Sequence, residues 1–83
     1  MQIDFEIIDN YIDNFEHKYK EGFTLEEIQT ICEYFNTSFE KFNKELRGNT
    51  CMEIDNQLIV YDCDIRNILY KLLLGYQDIY SWD

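Results

Sequence analysis

Apolar residues recur at helical spacing through residues 4–21, the first segment of the chain. The residues that share one face there are Phe5, Ile8, Tyr11, Ile12, Phe15 and Tyr19. A spacing of three and four residues places side chains on one side of an α-helix, so the pattern predicts a helix that packs on a core.

A row of acids lies on a flanking face of this predicted helix: Glu6, Asp9, Asp13 and Glu16. Like charges at this spacing destabilise a helix by ~0.2–0.5 kcal/mol per pair. A feature that costs stability without local benefit is often functional, so the row is a candidate partner-binding face. A merely solvated face is the alternative interpretation.

Two short helices with sequence-encoded starts follow. Thr24 and Glu27 have the spacing of a capping box, and an apolar stripe then predicts a helix to about residue 36. A second box pattern at residues 37–40 begins another helix, which Gly48 ends. Two capped helices joined by a turn form a helix-turn-helix pattern.

The chain's glycines, Gly22, Gly48 and Gly75, each follow an apolar segment and are predicted helix stops.

After Gly48 the pattern predicts a β-hairpin formed by residues 50–54 and 58–61. A three-residue loop at residues 55–57 places four apolar residues on one face: Met52, Ile54, Leu58 and Val60. A two-residue turn at Asp55 and Asn56 shifts the register, and the sequence leaves both possibilities open.

A last helix begins near Asp62 or Asp64, either of which is a predicted N-cap. Its core face carries Ile65, Ile68, Leu69, Leu72, Leu73 and Tyr76. Large apolar residues also occur on its opposite side and beyond Gly75, and we assign them as candidate apolar partner contacts: Tyr70, Leu74, Tyr80 and Trp82. Folding of this end back onto the core is the favoured interpretation, and docking of a second copy or a partner is the alternative.

These elements predict a single domain spanning residues 1–83. The predicted fold class is mainly α with one small β-hairpin (α+β), in the order α-α-α-β-β-α. A length of 83 residues limits the expected stability to ~4–12 kcal/mol.

The formal net charge of −10 opposes contact with nucleic acid and anionic membranes and favours a basic partner. The alternative is that the acidity only maintains solubility. Three widely spaced cysteines, Cys32, Cys51 and Cys63, suit neither a disulfide framework nor a zinc site, and we expect buried free thiols in a reducing cytosol. We find no leader pattern and no apolar run approaching ~18 residues, which predicts a cytoplasmic protein.

Catalytic chemistry has little support in the sequence. The single histidine, His17, is interpreted as an exposed residue of the first helix. The cysteines lack a neighbouring base, and neither a glycine-rich phosphate loop nor a calcium-loop pattern occurs. We therefore expect no enzyme activity, no cofactor and no metal site.

The stretch FTLEEIQTICEYFNTSFEKFNKEL, the hairpin MEIDNQLIVYD and the segment DIRNILYKLL together resemble a winged helix-turn-helix domain in their order. This family includes small excisionase-like and regulator-like DNA binders. The resemblance implies that residues 38–47 enter the major groove, with Lys41, Lys44 and Arg47 as the DNA contacts. Residues 38–50 carry a net +1, against −7 for residues 1–37 and −4 for residues 51–83.

Size, charge and aromatic content also resemble a second class, the small acidic inhibitors encoded by phages, of which anti-CRISPR proteins are examples. Immunity proteins that neutralise nuclease toxins are similar in the same respects. This likeness implies a protein partner with a basic surface, such as a nucleic-acid enzyme, in the host cytoplasm. We take an acidic inhibitor or adaptor as the leading functional prediction. A winged helix-turn-helix DNA-binding regulator is the first alternative, and an immunity protein or a small subunit of a larger assembly is the second.

Overall fold

The computed structural model describes residues 3–48 and 50–75. The elements along the chain are α1 (Phe5–Asn14), β1 (Gly22–Thr24), α2 (Leu25–Tyr34), α3 (Phe39–Lys44), β2 (Cys51–Ile54), β3 (Gln57–Tyr61) and α4 (Asp62–Leu74). Within the described residues these form four helices and one three-stranded antiparallel sheet in the order β1-β3-β2. The predicted α+β class is confirmed, and β1 is an additional strand that the sequence pattern did not indicate.

The hairpin between β2 and β3 has a two-residue turn. Asp55 and Asn56 both have positive φ, at 52° and 65°. A two-residue hairpin turn with this geometry matches the right-handed twist of the strands, and Asp and Asn tolerate it better than most residues. The turn pairs Ile54 with Gln57 and Glu53 with Leu58, so the three-residue loop is excluded.

Helix α1 ends at Asn14, so the predicted continuation to residue 21 is wrong. The backbone turns into an extended conformation at Phe15, and the chain then leads into β1. His17 lies in this connection and not on a helix. Its ring stacks on Phe23 with the centroids 4.1 Å apart, and its Nδ1 lies 2.8 Å from the Tyr19 carbonyl oxygen and 2.9 Å from that of Gly22. These contacts give the histidine a structural role in positioning β1.

Gly22 is a strand residue and not the predicted helix stop. It pairs with Tyr61, and a Cβ atom at this position would lie 2.2 Å from the carbonyl oxygen of Val60. Glycine is required here because the backbones of β1 and β3 approach too closely for a side chain. Gly75, by contrast, ends α4 in the left-handed conformation at φ 68°, as predicted.

The N-caps of the helices agree only in part with those predicted from the sequence. Thr24 and Glu27 form the predicted capping box at α2. The box predicted at residues 37–40 is wrong, because the N-cap of α3 is Ser38 and not Thr37. The Ser38 hydroxyl accepts from the Lys41 backbone N–H, and a lysine at this position cannot complete a capping box. The N-cap of α4 is Tyr61, without a side-chain cap, so the predicted caps at its first turn are wrong.

One core joins α1, α2, α3 and α4 to one face of the sheet. Its buried residues are Ile8, Ile12, Phe23, Ile28, Ile31, Cys32, Phe35, Phe42, Val60, Ile65, Ile68 and Leu69. Of the three cysteines that were predicted to be buried, Cys32 is, whereas Cys51 is half-buried and Cys63 is exposed. Cys32 is 1% exposed, and burial raises the pKa of its thiol to about 11. The Cys32 thiol therefore keeps its proton to a higher pH than an exposed thiol does.

This buried thiol is expected to make the protein less stable at alkaline pH. The folded chain keeps the Cys32 proton between pH 9 and about 11, while the unfolded chain releases it. The free energy of unfolding should therefore fall as the pH rises through this interval, by about 2 kcal/mol near pH 10.5. Urea unfolding at pH 8 and pH 10.5 measures the loss. Cys32→Ala removes the titrating group, so its loss between the two pH values should be smaller than that of the wild type. Equal losses would show that Cys32 does not titrate in this way.

Candidate protein-docking surfaces

A charge cluster centred on Arg66 joins α1 to α4. Its Nε donates to Oδ1 of Asp62 at 2.8 Å, one turn earlier on the same helix. Its Nη1 donates to Oδ1 of Asp9 at 3.1 Å, and its Nη2 donates to Asp13. The Tyr70 hydroxyl also donates to Asp9. Five side chains from two helices thus form one hydrogen-bonded network, which we call the Arg66 cluster.

The guanidinium at the centre of the Arg66 cluster is largely shielded from solvent, whereas the carboxylates around it are exposed. The Arg66 side chain is 20% exposed, whereas those of Asp9, Asp62 and Asp13 are 40%, 52% and 60% exposed. Hydrogen bonding to Asp62 and then to the other two carboxylates raises the pKa of the guanidinium, against an opposing effect of burial. Burial and the bond to Asp9 raise the pKa of Tyr70 to about 12. One guanidinium faces three carboxylates, so the cluster remains acidic after pairing.

The predicted acidic row does not form one free face. Asp9 and Asp13 belong to the Arg66 cluster and help to hold α1 on α4. Glu16 lies beyond the end of α1, and Glu6 is exposed on its first turn. The pairing was not visible in the sequence because Arg66 is 57 residues from Asp9.

The candidate apolar contacts on α4 are half-buried. Tyr70 and Leu74 both pack against the core cluster. The Tyr70 ring also meets Phe5 edge to face, with the centroids 4.7 Å apart. Tyr80 and Trp82 lie outside the described residues.

The three candidate DNA contacts do not lie on one helix. Lys41 and Lys44 are exposed on the six-residue α3. Arg47 follows the end of α3, and its guanidinium donates to the carbonyl oxygens of Lys44 at 3.0 Å and Leu46 at 3.1 Å. The predicted helix over residues 38–47 is therefore too long, and its last base stabilises the helix end.

The outer face of α2 carries acids that the sequence analysis did not single out. Its residues are Glu26, Gln29, Thr30 and Glu33, all exposed, and we call it the α2 acidic face. Glu26 and Glu33 are seven residues apart, which places them two turns apart on the same side. Neither carboxylate has a hydrogen bond or ion pair within residues 3–48 and 50–75. The signal in the sequence is that residues 21–40 contain five glutamates and neither Lys nor Arg.

Exposed apolar side chains lie at both ends of the α2 acidic face. At the end of α2, Tyr34 is 52% exposed and stacks in parallel on Tyr11, with the centroids 4.0 Å apart. At its start, Leu58 of the hairpin is 39% exposed and lines a shallow cavity with Leu25 and Glu26. Exposed aromatic and aliphatic side chains beside a charged surface offer a partner apolar contact area in addition to the electrostatic attraction of the carboxylates.

Other types of site find no support in the described residues. In the part of the chain that the structure covers, no group of three or more His, Cys, Asp or Glu residues is placed to hold a metal ion. Among the described helices, none combines the length and the apolar character that crossing a bilayer requires.

Comparison with known families, curated proteins and solved structures found no match to this chain.

Proposed function

We propose that this protein binds a basic surface of another protein through the α2 acidic face and acts as an inhibitor or adaptor. The observation that carries the proposal is the contrast between the two acidic helices. Asp9 and Asp13 of α1 are paired with Arg66, which leaves Glu6 as the single unpaired carboxylate of that helix, whereas Glu26 and Glu33 of α2 both have no partner in the described part of the chain. Unpaired carboxylates on a helix without bases provide a negative field that attracts a basic partner and speeds its association.

A basic groove that binds nucleic acid is the partner surface we favour. The net charge of −10 makes the protein similar in charge to the nucleic acid that such a groove accepts. Occupation of the groove would block the enzyme without any chemistry in the inhibitor itself. The described cysteines are all unpaired, which suits action in a reducing cytoplasm.

Direct binding to DNA is the competing function, and a titration separates the two. We expect no anisotropy change when duplex DNA is titrated with micromolar protein at physiological salt, because phosphate neutralisation supplies most non-specific affinity. Lys41 and Lys44 are exposed, but Arg47 is bonded to carbonyl oxygens at the end of α3. Micromolar binding with a steep salt dependence, lost in Lys41→Glu/Lys44→Glu, would instead support the winged helix-turn-helix regulator.

Capture from a host lysate tests the docking proposal when three immobilised proteins are compared. These are the wild type, the α2 reversal Glu26→Lys/Glu33→Lys, and the matched α1 reversal Glu6→Lys/Glu16→Lys. Both variants change the net charge equally and alter exposed carboxylates that have no ion pair in the described structure. We expect a protein that the wild type and the α1 reversal retain and the α2 reversal loses. Equal retention by all three would contradict the proposal.

A further inference from the structure

A shallow cavity lies where the start of α2 meets the tip of the hairpin. Its volume is about 270 Å³, and its lining consists of Leu25, Glu26, Asn56, Gln57 and Leu58. Two residues of the lining are leucines, which we call the apolar floor, and the other three are polar. Drug-sized ligands occupy pockets of roughly 300–1,000 Å³, so a site of this size suits one protruding side chain better than a whole small molecule.

The two neighbouring glutamates at the start of α2 differ in their hydrogen bonding. Both carboxylate oxygens of Glu27 accept backbone N–H groups, from Thr24 at 2.8 Å and from Lys18 at 2.9 Å. Glu26 has no such bond in the described structure, and its exposed carboxylate is available to a ligand. The hairpin register also pairs Glu53 with Leu58, which places a second exposed carboxylate beside the apolar floor.

We propose that this cavity receives one arginine side chain of the protein partner. The aliphatic part of arginine would lie on Leu25 and Leu58, because long cationic side chains cover apolar surface while their charged ends remain at the rim. The guanidinium has five N–H donors in a planar fork, which match the Glu26 carboxylate and the amide oxygens of Asn56 and Gln57. Gln57 uses its amide nitrogen toward the Tyr19 hydroxyl at 3.4 Å, so its oxygen is left as an acceptor. The inference rests on the proposed function and names the partner group that the hairpin end of the α2 acidic face would bind.

A titration of the ¹⁵N-labelled protein with N-acetyl-arginine amide, monitored by NMR, tests the cavity without knowledge of the partner. We expect saturable shift changes on the amides of residues 25–26 and 56–58, with a Kd on the order of 10 mM for so small a ligand. N-acetyl-citrulline amide has the same shape without the charge and should produce no saturable change at the same concentrations. Shift changes only at other sites, or equal changes with citrulline, would overturn the proposal.

Three variants separate the cavity from the rest of the α2 acidic face. Glu26→Gln should weaken N-acetyl-arginine amide binding at least about threefold, as expected for the loss of a partly exposed ion pair. Leu58→Thr keeps a residue that suits a strand and removes the apolar floor, so it should also weaken binding. Glu33→Gln lies two turns away and should leave the Kd unchanged. Unchanged affinity in both Glu26→Gln and Leu58→Thr would overturn the assignment.

Capture of the protein partner distinguishes failure of this inference from failure of the proposed function. If Glu33→Lys loses the partner while Leu58→Thr retains it in full, the α2 acidic face docks but the cavity is not used, which overturns the arginine proposal alone. If the α2 reversal retains the partner, the docking proposal fails and the arginine proposal fails with it. Loss of the partner in Leu58→Thr, with an unchanged NMR fold, supports both.

Discussion

Replacing Gly22 by alanine is expected to destabilise the protein by about 3 kcal/mol or more, a large part of the stability of a domain of this size. The new Cβ atom would lie 2.2 Å from the Val60 carbonyl oxygen and 3.1 Å from a methyl group of Ile59. The first of these is a backbone atom in the central strand, so the overlap can be relieved only by separating β1 from β3. The thermal midpoint should fall by at least about 12 °C, because 1 kcal/mol corresponds to ~4–8 °C in a small domain.

Gly48→Ala is the matched control for this prediction. A Cβ at Gly48 would meet no atom within 4 Å, and its backbone does not have a positive φ. We expect its free energy of unfolding to remain within about 0.5 kcal/mol of the wild type. A Gly22→Ala variant as stable as Gly48→Ala would contradict the close pairing of β1 with β3.

Replacing Arg66 by alanine is expected to destabilise the protein by about 2 kcal/mol, the second large effect. The side chain is 20% exposed and is bonded to carboxylates on both α1 and α4. Its removal leaves Asp9, Asp13 and Asp62 close together without a cation, and uncompensated charge in a partly buried site costs more than a lost surface pair. Chemical denaturation of the variant measures the change. The loss should be smaller at high salt, because the carboxylates at the rim are open to screening.

Lys71→Ala provides the comparison for Arg66→Ala. The Lys71 ammonium lies 2.7 Å from Glu45, but its side chain is 55% exposed. An exposed pair of this kind contributes ~0–1 kcal/mol to stability, so the free energy of unfolding of this variant should remain close to that of the wild type. If Arg66→Ala lowers the free energy of unfolding no more than Lys71→Ala does, the Arg66 cluster does not hold α1 on α4.

The local elements of this fold were largely predictable from the sequence. Periodicity and the capping box located α2, and the apolar stripe located α4, because these signals depend on residues a few positions apart. The strand β1 was missed because Gly22–Thr24 is too short to show alternation and is held in the sheet by β3, far along the chain. Helix α1 was also predicted too long: its apolar spacing continues to Tyr19, but the backbone becomes extended at Phe15 and the His17 ring stacks on Phe23 of β1.

The candidate sites depended still more on tertiary contacts. The acidic row was predicted to cost helix stability, but two of its carboxylates, those of Asp9 and Asp13, are paired with Arg66 on α4. The α2 acidic face became distinct only when the structure showed which carboxylates are paired. Glu27 and Glu26 are adjacent in the sequence, but one is bonded to backbone N–H groups and the other is exposed. Sequence charge counts cannot separate such residues, because pairing is a property of the fold.

The rate at which the captured partner associates with each charge variant tests the central claim most directly. At physiological salt we predict that Glu26→Lys/Glu33→Lys slows association about tenfold, with dissociation less affected, because exposed charges act mainly on the encounter. In this variant, the new lysine in the first turn of α2 is unfavourable to the helix and the one in the last turn is favourable, so the fold should be retained. The matched reversal Glu6→Lys/Glu16→Lys should associate at nearly the wild-type rate. Slow association of the α1 reversal, together with wild-type association of the α2 reversal, would contradict docking through the α2 acidic face.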